Sequence, residues 1–386
     1  MKINRFVKTL LSLALVGTLV ACGDSSSDNT DVIVDNGYTG PSVAPAGVYT
    51  LTNTTISNSI RQYRREANNV LTFVDDYPTG GNGDASDLDG TFGALAFQPG
   101  ANRFYAVNPG SNTISAMVLG TDGSISILST VSSNGARPVS IAAYGDLVYV
   151  LNYGDVGQNI PANISGFRLV GAQLQPIADS TQALSTDFPS PAQIGIHPTG
   201  TVIVVTESGT DNIITYQVDS NGKAVPGESQ GSNGNTPAGF KFTANGLLVV
   251  AEANDNAAGG GSTSVYNVGI NGGLVDLSVA VGNGQTGTSV VELINNSLVY
   301  TGNVASDTVS LYSLDGAGDL SLTSGATEVT GDAPSAVTTS LDLLNMYSLD
   351  SADNTITTFT IASDGSLNQV STPISTPVNA VGLVAR

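Results

Sequence analysis

One short order of apolar runs returns seven times along the chain, and this repeat restricts the fold more than any other property of the sequence. The clearest copy spans residues 138–177. Pro138-Val139-Ser140-Ile141-Ala142 reads as one strand, Leu147-Val148-Tyr149-Val150-Leu151-Asn152 as the next, residues 164–169 as a third and residues 174–177 as a short fourth. The second of these runs comes back at residues 48–53, 104–108, 202–207, 247–252, 298–303 and 344–350, at intervals of roughly 45 to 55 residues. Each copy is followed by an apolar run and a turn of the Asp122-Gly123 or Asp364-Gly365 kind, and Asp-Gly between apolar strands is a strong hairpin signal. Gly, Asn, Asp and Pro bound the runs, and no helix-period stripe competes with the alternation. Four strands per repeat at this period specify propeller blades. The predicted fold class is all-β, a seven-bladed β-propeller with four antiparallel strands per blade. The first copy has no leading strand before Val48, whereas residues 379–385 have the character of one. The C-terminal strand is therefore expected to complete the first blade and close the ring, which removes exposed sheet edges.

The N-terminus sets a second expectation. Lys2, Arg5 and Lys8 precede an apolar stretch over residues 10–20 that is too short to span a bilayer comfortably. It reads as the apolar part of a secretory leader, outside the fold. It ends in Leu19-Val20-Ala21-Cys22, which resembles a bacterial lipobox. That resemblance implies cleavage before Cys22 and lipidation of its thiol, with several acyl chains giving stable anchoring. Cys22 is the only cysteine, so no disulfide forms within the chain. Gly23 rather than aspartate follows it, which by resemblance to Gram-negative sorting signals favours the outer membrane, facing the periplasm or the cell surface. The expected organisation is a leader over 1–21, a lipid-anchored flexible linker over 22–46 rich in Ser, Asp, Asn and Gly, and the propeller over 47–386.

The formal charge is −20, and removing a leader that holds Lys2, Arg5 and Lys8 makes the rest more acidic still. Such a surface repels phosphate backbones and anionic headgroups, so nucleic acid is excluded as a partner and the lipid, not charge, must hold the protein at a membrane. The expected partners are the membrane through Cys22 and an envelope protein, a glycan or a small molecule. The ring itself is expected to be monomeric. No cofactor is implied, because there is no phosphate-binding glycine loop, no Cys/His metal spacing and no G-x-S-x-G.

Thr79-Gly80-Gly81-Asn82-Gly83, Val107-Asn108-Pro109-Gly110-Ser111-Asn112, Arg137-Pro138-Val139-Ser140, Val204-Val205-Thr206-Glu207 and Ser264-Val265-Tyr266 resemble the lactonase-type seven-bladed propeller family over roughly residues 47–386. That family includes 6-phosphogluconolactonases and carboxymuconate cyclising enzymes. The resemblance implies a site in the central cleft using a histidine with acidic and arginine partners. The single histidine here, His197, falls in the turn between the first and second strands of the fourth repeat, on the rim opposite such a site. The positions that would carry the cleft histidine read Arg137-Pro138, Pro191-Ala192-Gln193, Thr236-Pro237 and Ala333-Pro334.

Strand polarity gathers other polar residues at one rim. Arg137 and Gln193 begin first strands, while Asn108, Asn152, Glu207, Glu252, Asn303 and Asp350 end second strands. Glu207 and Glu252 come from adjacent repeats, and two close carboxylates would raise one pKa and form an acid/base pair. Arg137 would hold an anionic substrate. Glu207, Glu252 and Arg137 are thus the catalytic candidates. Asn108, Asn152, Gln193, Asn303 and Asp350 are candidate ligand-binding groups, set against the alternative that such residues cap strands and satisfy loop amides. Asp84, Asp87 and Asp89 offer closely spaced oxygens to a calcium ion but lack the EF-hand glutamate. The reading favoured is a binding module at the cell envelope, with a lactonase-type hydrolase or isomerase of lactone-like, carboxylate-bearing molecules as its alternative.

Overall fold

The second run of each repeat, the most continuously apolar, forms a strand buried on both faces. Leu147–Asn152, Val202–Glu207, Leu247–Glu252 and Asn345–Asp350 are buried at every position. The fourth strands are instead mostly half-buried or exposed, and Val275 and Val279 stay exposed on the outermost strand of their blade. This gradient from buried to half-solvated strands sets the layout seen in the computed structural model, which describes residues 46–86, 92–370 and 372–386. Among these residues the strands assemble into seven antiparallel sheets, each ordered first, second, third, fourth from the inside outward. The expected leader, Cys22 and the expected linker up to residue 45 lie outside the described residues.

The ring closes as the sequence predicts. Val381–Ala385 pairs with Gly47–Leu51, and Ser59–Arg65 and Leu71–Pro78 complete this first blade. The remaining first strands are Leu95–Gln98, Pro138–Tyr144, Pro191–Ile196, Pro237–Phe242, Thr288–Ile294 and Pro334–Thr339. Two fourth strands are broken into pieces that the repeat does not signal. Gln173–Pro176 and Gln182–Ala183 share the edge of the third blade, and Leu367–Gln369 and Ile374–Ser375 share that of the seventh. The basic cluster Arg61, Arg64 and Arg65 lies on the third strand of the first blade, where Arg65 reaches Asp342 and Asn345 of the seventh.

Apolar clusters fill the spaces between blades, and tyrosines tie them together. Tyr149 Oη donates to the Gly222 carbonyl at 2.7 Å and accepts the Ala224 amide at 2.7 Å, joining the third blade to the hairpin turn of the fourth. Tyr300 Oη does the same for the Gly365 carbonyl, at 2.6 Å. Gly222 and Gly365 have φ of +82° and +84°, so these hairpin turns need glycine for their backbone.

Candidate functional site

The first strands surround an open channel of about 370 Å³. Ladder register fixes the height of each residue in it. The third residues of the seven second strands are Tyr49, Tyr105, Tyr149, Val204, Val249, Tyr300 and Tyr347, and their partners are Val384, Ala96, Ala142, Gly195, Lys241, Glu292 and Thr338. One position toward the start of the first strands, the layer reads Leu383, Leu95, Ile141, Ile194, Phe240, Val291 and Val337, all apolar. One position the other way it reads Ala385, Phe97, Ala143, Ile196, Phe242, Leu293 and Thr339. The channel is thus apolar above and nearly so below, with charge concentrated in one layer.

In that layer Lys241 Nζ lies 3.0 Å from Glu292 Oε2. Glu292 is buried, and its other oxygen receives only a long 3.4 Å bond from Thr339 Oγ1. Lys241 is half-exposed in the channel. Across from the pair stand Ala96 and Ala142, small residues on the first strands of the second and third blades that line the channel there. Among the described residues, Lys241 is the only ionisable side chain lining the channel. Sequence reasoning passed over both Lys241 and Glu292. The signal that finds them is positional: a Lys and a Glu at the same height of two first strands, where the other repeats carry Val, Ala, Gly or Thr.

The strand-end residues behave differently from an open polar ring. Each is fully buried and grips the loop that brings the chain into its own blade. Glu207 accepts from the Ser185 amide at 2.9 Å, the Ser185 hydroxyl and Thr210 Oγ1 at 2.6 Å. Glu252 accepts from Ser232 Oγ and the Gly234 amide, both at 2.9 Å, and from Ser262 Oγ at 2.6 Å. The two glutamates share no partner and neither lines the channel, so the structure does not bring them together as an acid/base pair. Asn108 takes bonds from Asn58 and Thr79 and gives them to Thr113 and Ser115. Asn303 repeats this with Asn283, Thr288, Thr308 and Ser310. Asn152 Nδ2 binds the Ser133 carbonyl and Asn163, while its buried Oδ1 has no hydrogen-bond partner. Asp350 accepts from Ser348 and Thr357, and burial pushes its carboxyl up to about 6 against those bonds and the Gly331 amide. The loops carry glycine where they meet these side chains. A Cβ on Gly81, Gly135, Gly234 or Gly331 would fall 2.4–2.7 Å from Asn108, Asn152, Glu252 or Asp350 respectively.

Gln193 spends its amide on the next blade. Nε2 donates to the Phe240 carbonyl and Oε1 accepts the Phe240 amide, both at 2.9 Å, so it bridges two first strands while lining the channel. Arg137 has φ of +53° and donates its backbone amide to Asn112 Oδ1 at 2.8 Å. The same left-handed step recurs at Thr236 and Ala333, which bond Asp211 and Asp307. The Arg137 guanidinium lies 3.6 Å from Asp84 and over the Tyr153 ring at 5.4 Å. Neither glutamate is its partner. Asp84 is the one calcium candidate within the described residues; Asp87 and Asp89 fall outside them. His197 sits in the turn expected of it, with Nδ1 2.8 Å from Thr199 Oγ1 and its ring edge-on to Phe242. Burial holds its pKa below the usual histidine value, so it is neutral at pH 7.

A closed ring of seven four-stranded blades around an accessible channel defines a seven-bladed β-propeller. The chain belongs to the lactonase seven-bladed β-propeller family, whose sequence model matches residues 92–381. Comparison with curated proteins gives no significant match. Among solved structures, a protein from Bacteroides uniformis described as a candidate 6-phosphogluconolactonase is 16% identical, with a TM-score of 0.71, covering 89% of this chain and all of that one. A comparable candidate from Bacteroides fragilis is 16% identical with a TM-score of 0.67, over 90% of this chain and 100% of its own. A periplasmic gluconolactonase from Pseudomonas aeruginosa is 15% identical with a TM-score of 0.66, over 88% and 98% of the two chains. At these identities the likeness is one of fold.

Proposed function

We propose that this lactonase-family propeller is a binding module of the cell envelope, which holds a small molecule in its channel rather than hydrolysing one. The observation that carries the reading is the chemistry of the channel wall. Its one ionisable lining group among the described residues is Lys241, already paired with Glu292. The carboxylates at the strand ends are committed to loops, and the histidine packs in a turn on the far rim. Among the described residues no general base stands free beside the cavity, and proton transfer needs one within hydrogen-bond reach of the substrate.

A second reading, lactone hydrolysis, is favoured by family membership and by the Pseudomonas periplasmic gluconolactonase among the structural relatives. In that reading Glu207, Glu252 and Arg137 are the groups to test. Gluconolactone, 6-phosphogluconolactone and simple aliphatic lactones should be offered to the full chain, with ring opening followed by proton release. The expected result is no opening above the uncatalysed rate. Turnover that Glu207→Gln, Glu252→Gln or Arg137→Ala abolishes without lowering the melting temperature would replace the binding reading with the hydrolytic one.

A further inference from the structure

We infer that the Lys241–Glu292 layer is the recognition point of the channel, and that it takes an uncharged carbonyl compound with an apolar body. This rests on the binding reading and names the class of ligand. Four observations carry it. The layer is the only charged one of three successive rings of first-strand residues, and the small side chains Ala96 and Ala142 stand opposite the ion pair. The volume, about 370 Å³, falls in the range of small-molecule pockets. The rings on either side supply an apolar wall, including Phe97, Ile196 and Phe242. Finally, Lys241 has three N–H donors and one carboxylate partner, so it keeps donors for a guest.

Charge decides which guest. Glu292 already neutralises Lys241, so an incoming carboxylate or phosphate meets a site of zero net charge in a chain of formal charge −20. It would lose its hydration and face the Glu292 carboxylate without a free cation to compensate. A neutral carbonyl oxygen accepts a hydrogen bond from the ammonium and leaves the ion pair intact. Esters, lactones and ketones with an aliphatic body fit; phosphorylated sugar lactones do not.

Calorimetry on the full chain with γ-octalactone, octanoate and gluconolactone tests this, since the first two share a body and differ in charge, and the third lacks the apolar body. Saturable binding is expected for γ-octalactone, with octanoate and gluconolactone each at least tenfold weaker. Lys241→Met should weaken γ-octalactone about tenfold. Because that variant strands a buried carboxylate, the double variant Lys241→Met/Glu292→Leu, which removes both charges, is measured beside it and should lose affinity equally. Glu292→Gln frees the Lys241 charge and should reverse the order, with octanoate binding more tightly than the lactone. Equal binding of octanoate and γ-octalactone by the unaltered chain, affinity unmoved by both Lys241 variants, or no saturable binding overturns the inference. Hydrolysis is followed separately on the same samples. Consumption of a lactone whose binding still depends on Lys241 would sink the binding-only function and leave this site standing.

Discussion

Asp350 shows what a single side chain can do in this ring. It occupies the place that Asn108 and Asn303 fill in other blades, and Thr357 stands seven residues after it as Ser115 and Ser310 stand after those asparagines. An amide can donate to that hydroxyl without a charge, whereas a carboxylate must be desolvated to sit there. With a folded pKa of about 6 against an ordinary 3.8, the folded state binds the proton more tightly than the unfolded one. Stability from this group is therefore complete below pH 4 and is lost as the pH rises through 6, by about 3 kcal/mol at most. Asp350→Asn should raise stability at pH 7 by about 1–3 kcal/mol and leave it little changed at pH 4. Urea unfolding of both proteins across that range reads the difference, and a gap that does not widen with pH refutes the assignment. The same set of residues marks how far the site was legible. Recurrent Asn, Glu and Asp at strand ends are visible in the sequence, but an open polar mouth and a buried loop clamp share that composition. What separates them is the company they keep. The loop glycines Gly81, Gly135, Gly234 and Gly331 and the Ser or Thr early in the following strand recur with the clamp.

At the level of strands, pattern and structure agree wherever burial is two-sided, because a second strand packed between blades must be apolar at successive positions. They part at the outer edge. The split fourth strands of the third and seventh blades carry no apolar run, since a half-solvated edge demands little of its side chains. The closing strand Val381–Ala385 was legible because it combines a buried alternation with a missing partner at the other end of the chain. Its Leu383 is buried in the cluster that includes Val48, Tyr63, Tyr347 and Leu349, and Thr50 Oγ1 binds the Gly382 carbonyl at 2.7 Å across the seam. Leu383→Ala removes apolar volume where the ends of the chain meet. It should cost about 2–4 kcal/mol, the range for a buried leucine that cannot be repacked. The midpoint of urea unfolding should fall while the m-value stays constant, because the surface exposed on unfolding hardly changes. A loss below about 1 kcal/mol would mean that the seam contributes little to holding the ring.

On the scale of the whole molecule, the acidic surface and the expected lipid on Cys22 make opposite contributions to membrane residence. A formal charge of −20 is repelled by anionic headgroups, and that repulsion weakens as salt screens it within a distance of about 10 Å at 0.1 M. A protein held by basic residues would be washed from membranes by salt. With acyl chains on Cys22 as the expected anchor, this one should be held at least as firmly in 1 M salt as at low ionic strength. In cells given a labelled fatty acid, the full chain should take up label and sediment with the membrane fraction through a 1 M salt wash. Cys22→Ser should carry no label and appear in the soluble fraction with an unchanged melting temperature, since the substitution lies ahead of the first strand of the ring at Gly47. Release of the unaltered chain by salt, or retention of Cys22→Ser, would show that the ring itself binds the membrane, and the acidic surface would then need a bridging cation or a protein partner to explain it.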